Sequence, residues 1–300
     1  VNGSLITDAA AGSATFIKTG DLLAPDTYTV TIRSASDSFV TADGDLLDGN
    51  TVTPGLEDYS TTFVVAPLSP ETVTVSIPDF TRGFGQDVNV PADGLGIPLT
   101  ISRGTGISGL NLQLNYDRSL LTVNSFVPTI DGLAPPGPDG SPYFNQATGK
   151  LVLSKGTEFT TETGSFVLGY FTASVPDTAI YTDKQQIEIV DVSVFDSSAE
   201  TSPIPAVADF AMHIAAFLGD TNAGRFYNSS DTTLLLRQSN DLIDGLSLYP
   251  LADPLLVSDI TFDASILAND VTNLQRVITG IDVPTVPDFP TGVEPRPPRG

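Results

Sequence analysis

The sequence predicts a mainly β protein, built of β-sandwiches over most of its length with a small helical unit near the C-terminus. Three observations lead there. Short segments rich in Val, Thr, Ile, Phe and Tyr recur between turn signals, and 26 glycines and 23 prolines supply the turns. Near the C-terminus, Val271, Leu274 and Ile278 instead fall at helical spacing, with Asn269 or Asp270 as the cap and Gly280 as the stop. Two Asp-rich segments of twelve residues, starting at Asp220 and Asp259, repeat each other, and each runs into an apolar stretch.

Length and charge narrow the function. Three hundred residues predict two or three domains, each large enough for its own core. The 36 acidic against 13 basic residues, a net charge of −23, argue against nucleic acid as a partner, because phosphates require Lys and Arg. Clustered Asp suits a calcium-rich or saline exterior, and equally the plain solubility of a surface protein. The absence of cysteine leaves the redox compartment open, since a secreted protein can use bound metal in place of disulfides. No apolar run approaches the roughly 20 residues of a membrane span. The chain starts at Val1 and its one methionine is Met212, so it reads as a piece of something larger, with any signal or anchor outside it.

Residues 1–66 are read as a first β unit. Tyr28, Val30 and Ile32 alternate within Thr27–Arg33, and Thr61–Val65 closes a second such run. Between them, Asp43, Asp45 and Asp48 alternate closely enough to converge on a hard cation, although an Asp/Gly hairpin turn explains them as well. The phrases Pro25–Ile32, Ala42–Asn50 and Asp58–Phe63 resemble bacterial Ig-like modules of large surface proteins and adhesins, with the later part of such a module present.

Pro67–Pro70 reads as a stiff linker. A second β unit then opens with Val73, Val75 and Ile77. Its clearest strand is Gly109–Asp117, where Leu110, Leu112, Leu114 and Tyr116 share one face. Leu120–Val123, a proline-rich loop at 134–142, Gly149–Leu153, Gly164–Ala173 and a last strand near Ala208–Phe217 complete a sandwich pattern. The order Gly-Leu-x-Leu-x-Leu-x-Tyr-Asp, then Gly-Lys-Leu-Val, then Gly-x-Phe-x-Leu-x-x-Phe-x-Ala resembles cohesin domains and their carbohydrate-binding relatives, which have a jelly-roll fold, over residues 73–214.

In the first repeat, Asp220, Asn222, Asn228 and Asp231 place oxygens at positions one, three, nine and twelve, and Gly224 and Phe226 occupy positions five and seven. In the second, Asp259, Thr261, Asp263 and Asp270 hold positions one, three, five and twelve, with Ser265 at seven. This is how a calcium loop of the EF-hand type wraps its ion, and ordinary Asp/Asn turns and helix caps use the same residues. The exits match as well: Thr233, Leu235 and Arg237 against Thr272, Leu274 and Arg276. Residues 218–282 resemble dockerins, in which two calcium loops hold two helices that bind a cohesin. The resemblance implies Ca2+ as cofactor, bound better by the second loop, with three carboxylates, than by the first, with two. It also implies partner contacts at Ser229, Ser230 and Arg237 in the first copy and Ala268, Asn269 and Arg276 in the second. Position six, which needs an unusual backbone conformation, carries Arg225 and Ala264 where dockerins have glycine.

No catalytic constellation is legible. His213, the one histidine, lies in the apolar run Phe210–Phe217 and reads as structural, and no zinc spacing or phosphate loop occurs. The function expected is therefore a non-catalytic extracellular or cell-surface scaffold fragment. It would assemble through a cohesin-like or dockerin-like partner, on its own copy or another chain, and residues 283–300 would serve as a Pro-rich linker. The alternative is a carbohydrate-binding module with a polysaccharide ligand, which the absence of Trp disfavours.

Overall fold

The computed structural model describes residues 1–290 except 41, 42, 51, 53, 54, 93, 134–142, 162, 197 and 198. The proline-rich loop expected at 134–142 and the end of the expected Pro-rich linker lie outside the described residues. Two compact units divide the chain: Val1–Asp21 together with Glu71–Gly300, and Leu22–Pro70 alone. This differs from the single unit read over 1–66, and hydrogen bonding explains why. Strands β1 (Gly3–Asp8) and β2 (Ser13–Lys18) form an antiparallel hairpin, and its bonds run to distant parts of the first unit. The Leu5 amide donates to the Leu251 carbonyl (2.8 Å), the Asp253 amide to Ser4 Oγ (2.8 Å) and the Gly20 amide to Asp79 Oδ2 (2.7 Å).

Leu22–Pro70 contains the ribbon of β3 (Asp26–Ile32) and β4 (Tyr59–Val65), paired antiparallel with Tyr28 opposite Phe63 and their rings stacked at 5.6 Å. The two strands expected from the sequence are present, but burial does not alternate along them, and Val30, Phe63 and Val64 are exposed. None of the described residues of this unit is a buried hydrophobic, because two strands have no second sheet against which to close a core. An Ig-like sandwich is therefore not formed by the described residues of this unit.

The first unit is organised by a sandwich. Its strands are β5 (Val73–Ser76), β6 (Phe80–Thr81), β7 (Ile97–Ile101), β8 (Ile107–Asn115), β9 (Thr122–Pro128), β10 (Phe144–Asn145), β11 (Lys150–Ser154), β12 (Phe166–Ser174), β13 (Lys184–Asp196), β14 (Ala199–Ile204), β15 (Ala206–Ala208) and β16 (Ala211–Ile214). One sheet runs β10-β11-β8-β13-β16-β6 with β14 added to β13, and the other runs β15-β5-β7-β12-β9. Leu110, Leu112 and Leu114 of β8 are buried as their spacing predicts, in one core with Leu99, Phe126, Leu151 and Phe171.

Strand β16 has a core on each side. Ala211 belongs to the sandwich core, whereas Met212, Ile214, Ala216 and Phe217 pack with the C-terminal residues Leu235, Tyr249, Val257, Val271 and Leu274 and with Ile17 of β2. One strand thus serves both the sandwich and the helical part, with no linker between them. Three helices follow among the described residues: α1 (Ser229–Gln238), the single turn α2 (Leu255–Ser258) and α3 (Ala268–Ile278). The start of α3 lies a little before the cap expected at Asn269 or Asp270, because the Asp270 carboxylate reaches back from inside the first turn to the Leu267 amide (2.7 Å). Gly280 ends it as expected, with φ +79° and bonds from the Gly280 and Ile281 amides to the Val277 and Arg276 carbonyls. Helix α1 ends in the same way at the matching residue of the first copy: Asp241 has φ +53°, and the Asp241 and Leu242 amides donate to the Gln238 and Arg237 carbonyls.

Candidate metal centre

The two loops repeat one another bond for bond. In the first, the position-one carboxylate of Asp220 accepts the amides of Gly224 (2.9 Å) and Arg225 (2.7 Å), and the position-twelve carboxylate of Asp231 accepts those of Asn222 (3.0 Å) and Asn228 (2.8 Å). In the second, Asp259 accepts the amides of Asp263 (3.2 Å) and Ala264 (2.8 Å), and Asp270 those of Thr261 (3.0 Å) and Leu267 (2.7 Å). Positions four and six are left-handed in both, at Ala223 (φ +52°) and Arg225 (+62°) and at Phe262 (+57°) and Ala264 (+62°). Four non-glycine residues accept this conformation because the carboxylates at each end of the loop fix the amides between them.

The copies differ in their centres. Asp259, Asp263 and Asp270 bring one carboxylate oxygen each to within 4.8 Å of one another, and the Thr261 hydroxyl lies 3.0 Å from Asp270 Oδ1. Among the described residues this is the one group of three such side chains, and it could hold an ion. Burial, with the nearby charges of Asp270 and Asp263, raises the Asp259 carboxyl above the usual carboxylate range, a cost that a cation among these oxygens would offset. A set made only of oxygens, three of them anionic, fits a hard divalent cation.

Loop one has two carboxylates, Asp220 and Asp231, where loop two has three. Gly224 offers no side chain at position five, and Asn222 Nδ2 lies 3.5 Å from Asn228 Oδ1 within the loop. Asp220 is fully buried, and its Oδ2 accepts the hydroxyl of Tyr181, which lies between β12 and β13 of the sandwich. The Tyr249 hydroxyl donates to the Asp220 carbonyl (2.5 Å) and that of Tyr227 to the Leu218 carbonyl (2.7 Å). Arg225 sits over the rings of Tyr181 (5.3 Å to the centroid) and Phe84 (5.8 Å). Burial raises the carboxyls of both Asp220 and Asp231. This loop is a joint to the sandwich. Its tyrosines and Arg225 belong to no motif that the sequence displays. A positively charged residue at the position that favours glycine is the one available sign that its side chain has work elsewhere.

The structure does not gather Asp43, Asp45 and Asp48. All three are exposed, and they are not among the groups of three or more acidic side chains that could hold an ion among the described residues. Asp48 Oδ1 accepts the Asn50 amide (3.2 Å) as in an ordinary Asx turn, and Asp58, whose carboxylate could have been a fourth ligand, accepts the Ser34 amide (2.7 Å).

Ser229, Ser230 and Arg237 are exposed on α1, as are Ala268, Asn269 and Arg276 on α3. Asn269 is also committed inward, its amide donating to Asp263 Oδ2 (3.2 Å). His213 is fully buried, stacked on Phe80 with Nδ1 3.1 Å from Gln185 Nε2, and burial lowers its pKa to about 3. No helix among the described residues is long and apolar enough to cross a membrane.

No family model matches the chain, and no curated protein does. Solved structures similar to it include a non-cellulosomal cohesin from the hyperthermophilic archaeon Archaeoglobus fulgidus (12% identity, 48% of this chain and 90% of that one, TM-score 0.33). The third ScaC cohesin of Acetivibrio cellulolyticus, solved with the ScaB dockerin, is 17% identical over 48% of this chain and 99% of that one, with a TM-score of 0.36. CaCohA2 from Clostridium acetobutylicum is 18% identical over 49% and 92%, with a TM-score of 0.34.

Proposed function

We propose that this chain is a non-catalytic assembly module of the cell surface or exterior, in which the second loop binds calcium and the two helices present a protein-binding surface. The observation that supports this reading is the convergence of Asp259, Asp263 and Asp270 within a loop whose backbone bonding is duplicated, one repeat earlier, by a loop without that convergence. Calcium takes six to eight oxygens. The three carboxylates, the Thr261 hydroxyl and the backbone carbonyl of Ser265 would hold it, with water completing the shell. Bound there, the ion would neutralise the carboxylates and tie the start of α3 to the loop. The partner would be a cohesin-like or dockerin-like domain of another chain or another copy, met by Ser229, Ser230 and Arg237 and by Ala268, Asn269 and Arg276.

The test is thermal unfolding of the full chain in calcium and in chelator, together with its oligomeric state by light scattering. An ion bound only by the folded state adds about 2.7 kcal/mol at a hundredfold excess over Kd. Asp263→Ala, at an exposed position, should abolish most of the calcium-dependent shift. A shift that survives both Asp263→Ala and Asp270→Asn would move the ion elsewhere and sink the reading.

A further inference from the structure

The hairpin β1–β2, the end of α1 and the outer side of loop two together line an open groove of about 710 Å3. Its apolar lining includes Phe16, Leu251, Ile266 and Leu267. Phe16 is half exposed, and its ring lies against Gly3, where a Cβ would stand 2.4 Å from the ring; the glycine lets the ring lie against the backbone and leaves an open aromatic surface. The last residue of α1, Gln238, also lines the groove. It is 7% exposed, its Oε1 accepts the Ser258 hydroxyl (2.7 Å), and its Nε2 has no hydrogen-bond partner. A buried amide donor without an acceptor is a cost to the free protein, which a ligand oxygen reaching it would relieve. Asp241 and Asp244 are exposed on the same lining and take part in neither ion pair found among the described residues.

We propose that this groove is the docking site for an extended peptide segment of a protein partner, one that brings a lysine or arginine next to an apolar side chain. Each part of the groove matches one part of such a segment. Phe16, Leu251 and Leu267 take the apolar side chain, the Gln238 amide donates to a backbone carbonyl, and Asp241 and Asp244 receive the cation. A neutral saccharide would leave both carboxylates without a counter-charge, and a chain of net charge −23 favours a cationic partner in any encounter. The inference rests on the reading of this chain as a protein-binding module and moves the contact from the exposed helix faces to the groove beside loop two.

The test uses the full chain as bait for a random decapeptide phage library, with the selected peptides then synthesised and titrated by fluorescence polarisation. Expected is a consensus with Lys or Arg beside Leu, Ile, Val or Phe. Its binding should weaken at least tenfold in Asp241→Asn/Asp244→Lys and severalfold in Gln238→Met. Asparagine keeps the left-handed conformation at position 241, so the charge variant should fold, and its unchanged melting would confirm that it does. The proposal is overturned if no peptide is selected, if the consensus is acidic, or if the binding survives both variants. A glycan array that yields ligands lost in the same variants, while the library yields none, would make the groove a saccharide site instead. The calcium-dependent melting shift, recorded on the same samples, reports loop two independently. An intact shift with no peptide selected, or with peptide binding that survives both variants, therefore refutes this inference alone.

Discussion

Arg225 and Ala264 occupy the same position of the two loops with the same φ of +62°, so replacing each by glycine separates backbone strain from side-chain anchoring. A left-handed conformation costs an L residue about 1–2 kcal/mol, part of which glycine returns through its larger unfolded-state entropy, about 0.5–1 kcal/mol. The exposed Ala264 has little else to lose, and Ala264→Gly should stabilise the chain by roughly 0.5–1 kcal/mol. Arg225→Gly gains the same relief but gives up the guanidinium over Tyr181 and Phe84, at 5.3 and 5.8 Å. At about 0.5–1 kcal/mol for each exposed cation–π contact, and with the packing of the stem lost as well, it should come out neutral to destabilising by about 1 kcal/mol. The two variants are therefore expected to differ by roughly 1–2 kcal/mol, or several degrees in Tm for a unit of this size. The measurement is urea unfolding followed by tyrosine fluorescence and circular dichroism, in chelator so that ion binding does not enter. Equal shifts of the same sign in both variants would mean that Arg225 does not anchor loop one to the sandwich.

Tyr181→Phe should destabilise by about 1–3 kcal/mol, because it removes one of the three hydrogen bonds to the buried Asp220 carboxylate and also the oxygen that accepts the Phe217 amide (3.0 Å); an unchanged urea midpoint would remove Tyr181 from the joint. Asp79, which accepts the Gly20 and Met212 amides, has its pKa pushed up to about 6, chiefly by burial. A carboxyl with a raised folded pKa costs stability in full above that value and none below the unfolded one, so melting should rise as pH falls from 7 toward 4. The contribution is at most about 3 kcal/mol, and Asp79→Asn should flatten that slope; a slope that stays the same would assign it to other groups.

The parts of the fold legible in the sequence are those where one local pattern decides. Leu110, Leu112 and Leu114 could face only one core, and the Gly280 stop comes from its freedom at positive φ. The parts that stay hidden depend on contacts between distant residues. The first 21 residues join the sandwich and the C-terminal part through bonds to Asp79, Leu251 and Asp253 that no local signal announces. Strand β13, paired with β8, β14 and β16, alternates Ile187 with Ile189 and then breaks at Asp191, with φ +52° and a shift of register before Ser193. A reading that expects steady alternation passes over such a strand. The aspartate cluster of loop two was legible as a pattern of oxygens, whereas the failure of Asp43, Asp45 and Asp48 to converge was not, because close sequence spacing also suits an ordinary turn.

The loop pair separates what a calcium-loop pattern encodes into two parts. Positions one and twelve shape the backbone, since their carboxylates hold the amides of positions three, five, six and nine in both copies, with or without a third carboxylate. Position five decides the chemistry. Asp263 completes a cluster of three carboxylates, whereas Gly224 leaves two, one of them beneath the Tyr181 hydroxyl. Their places in the chain make the difference intelligible. Asp220 comes directly after the strand whose outer face builds the second core, and so meets the sandwich's tyrosine. Loop two comes a full repeat later, where positions four to six are exposed. Loop one keeps the same backbone shape with two carboxylates instead of three, and its bonds through the hydroxyls of Tyr181, Tyr227 and Tyr249 add to the rigidity of that shape.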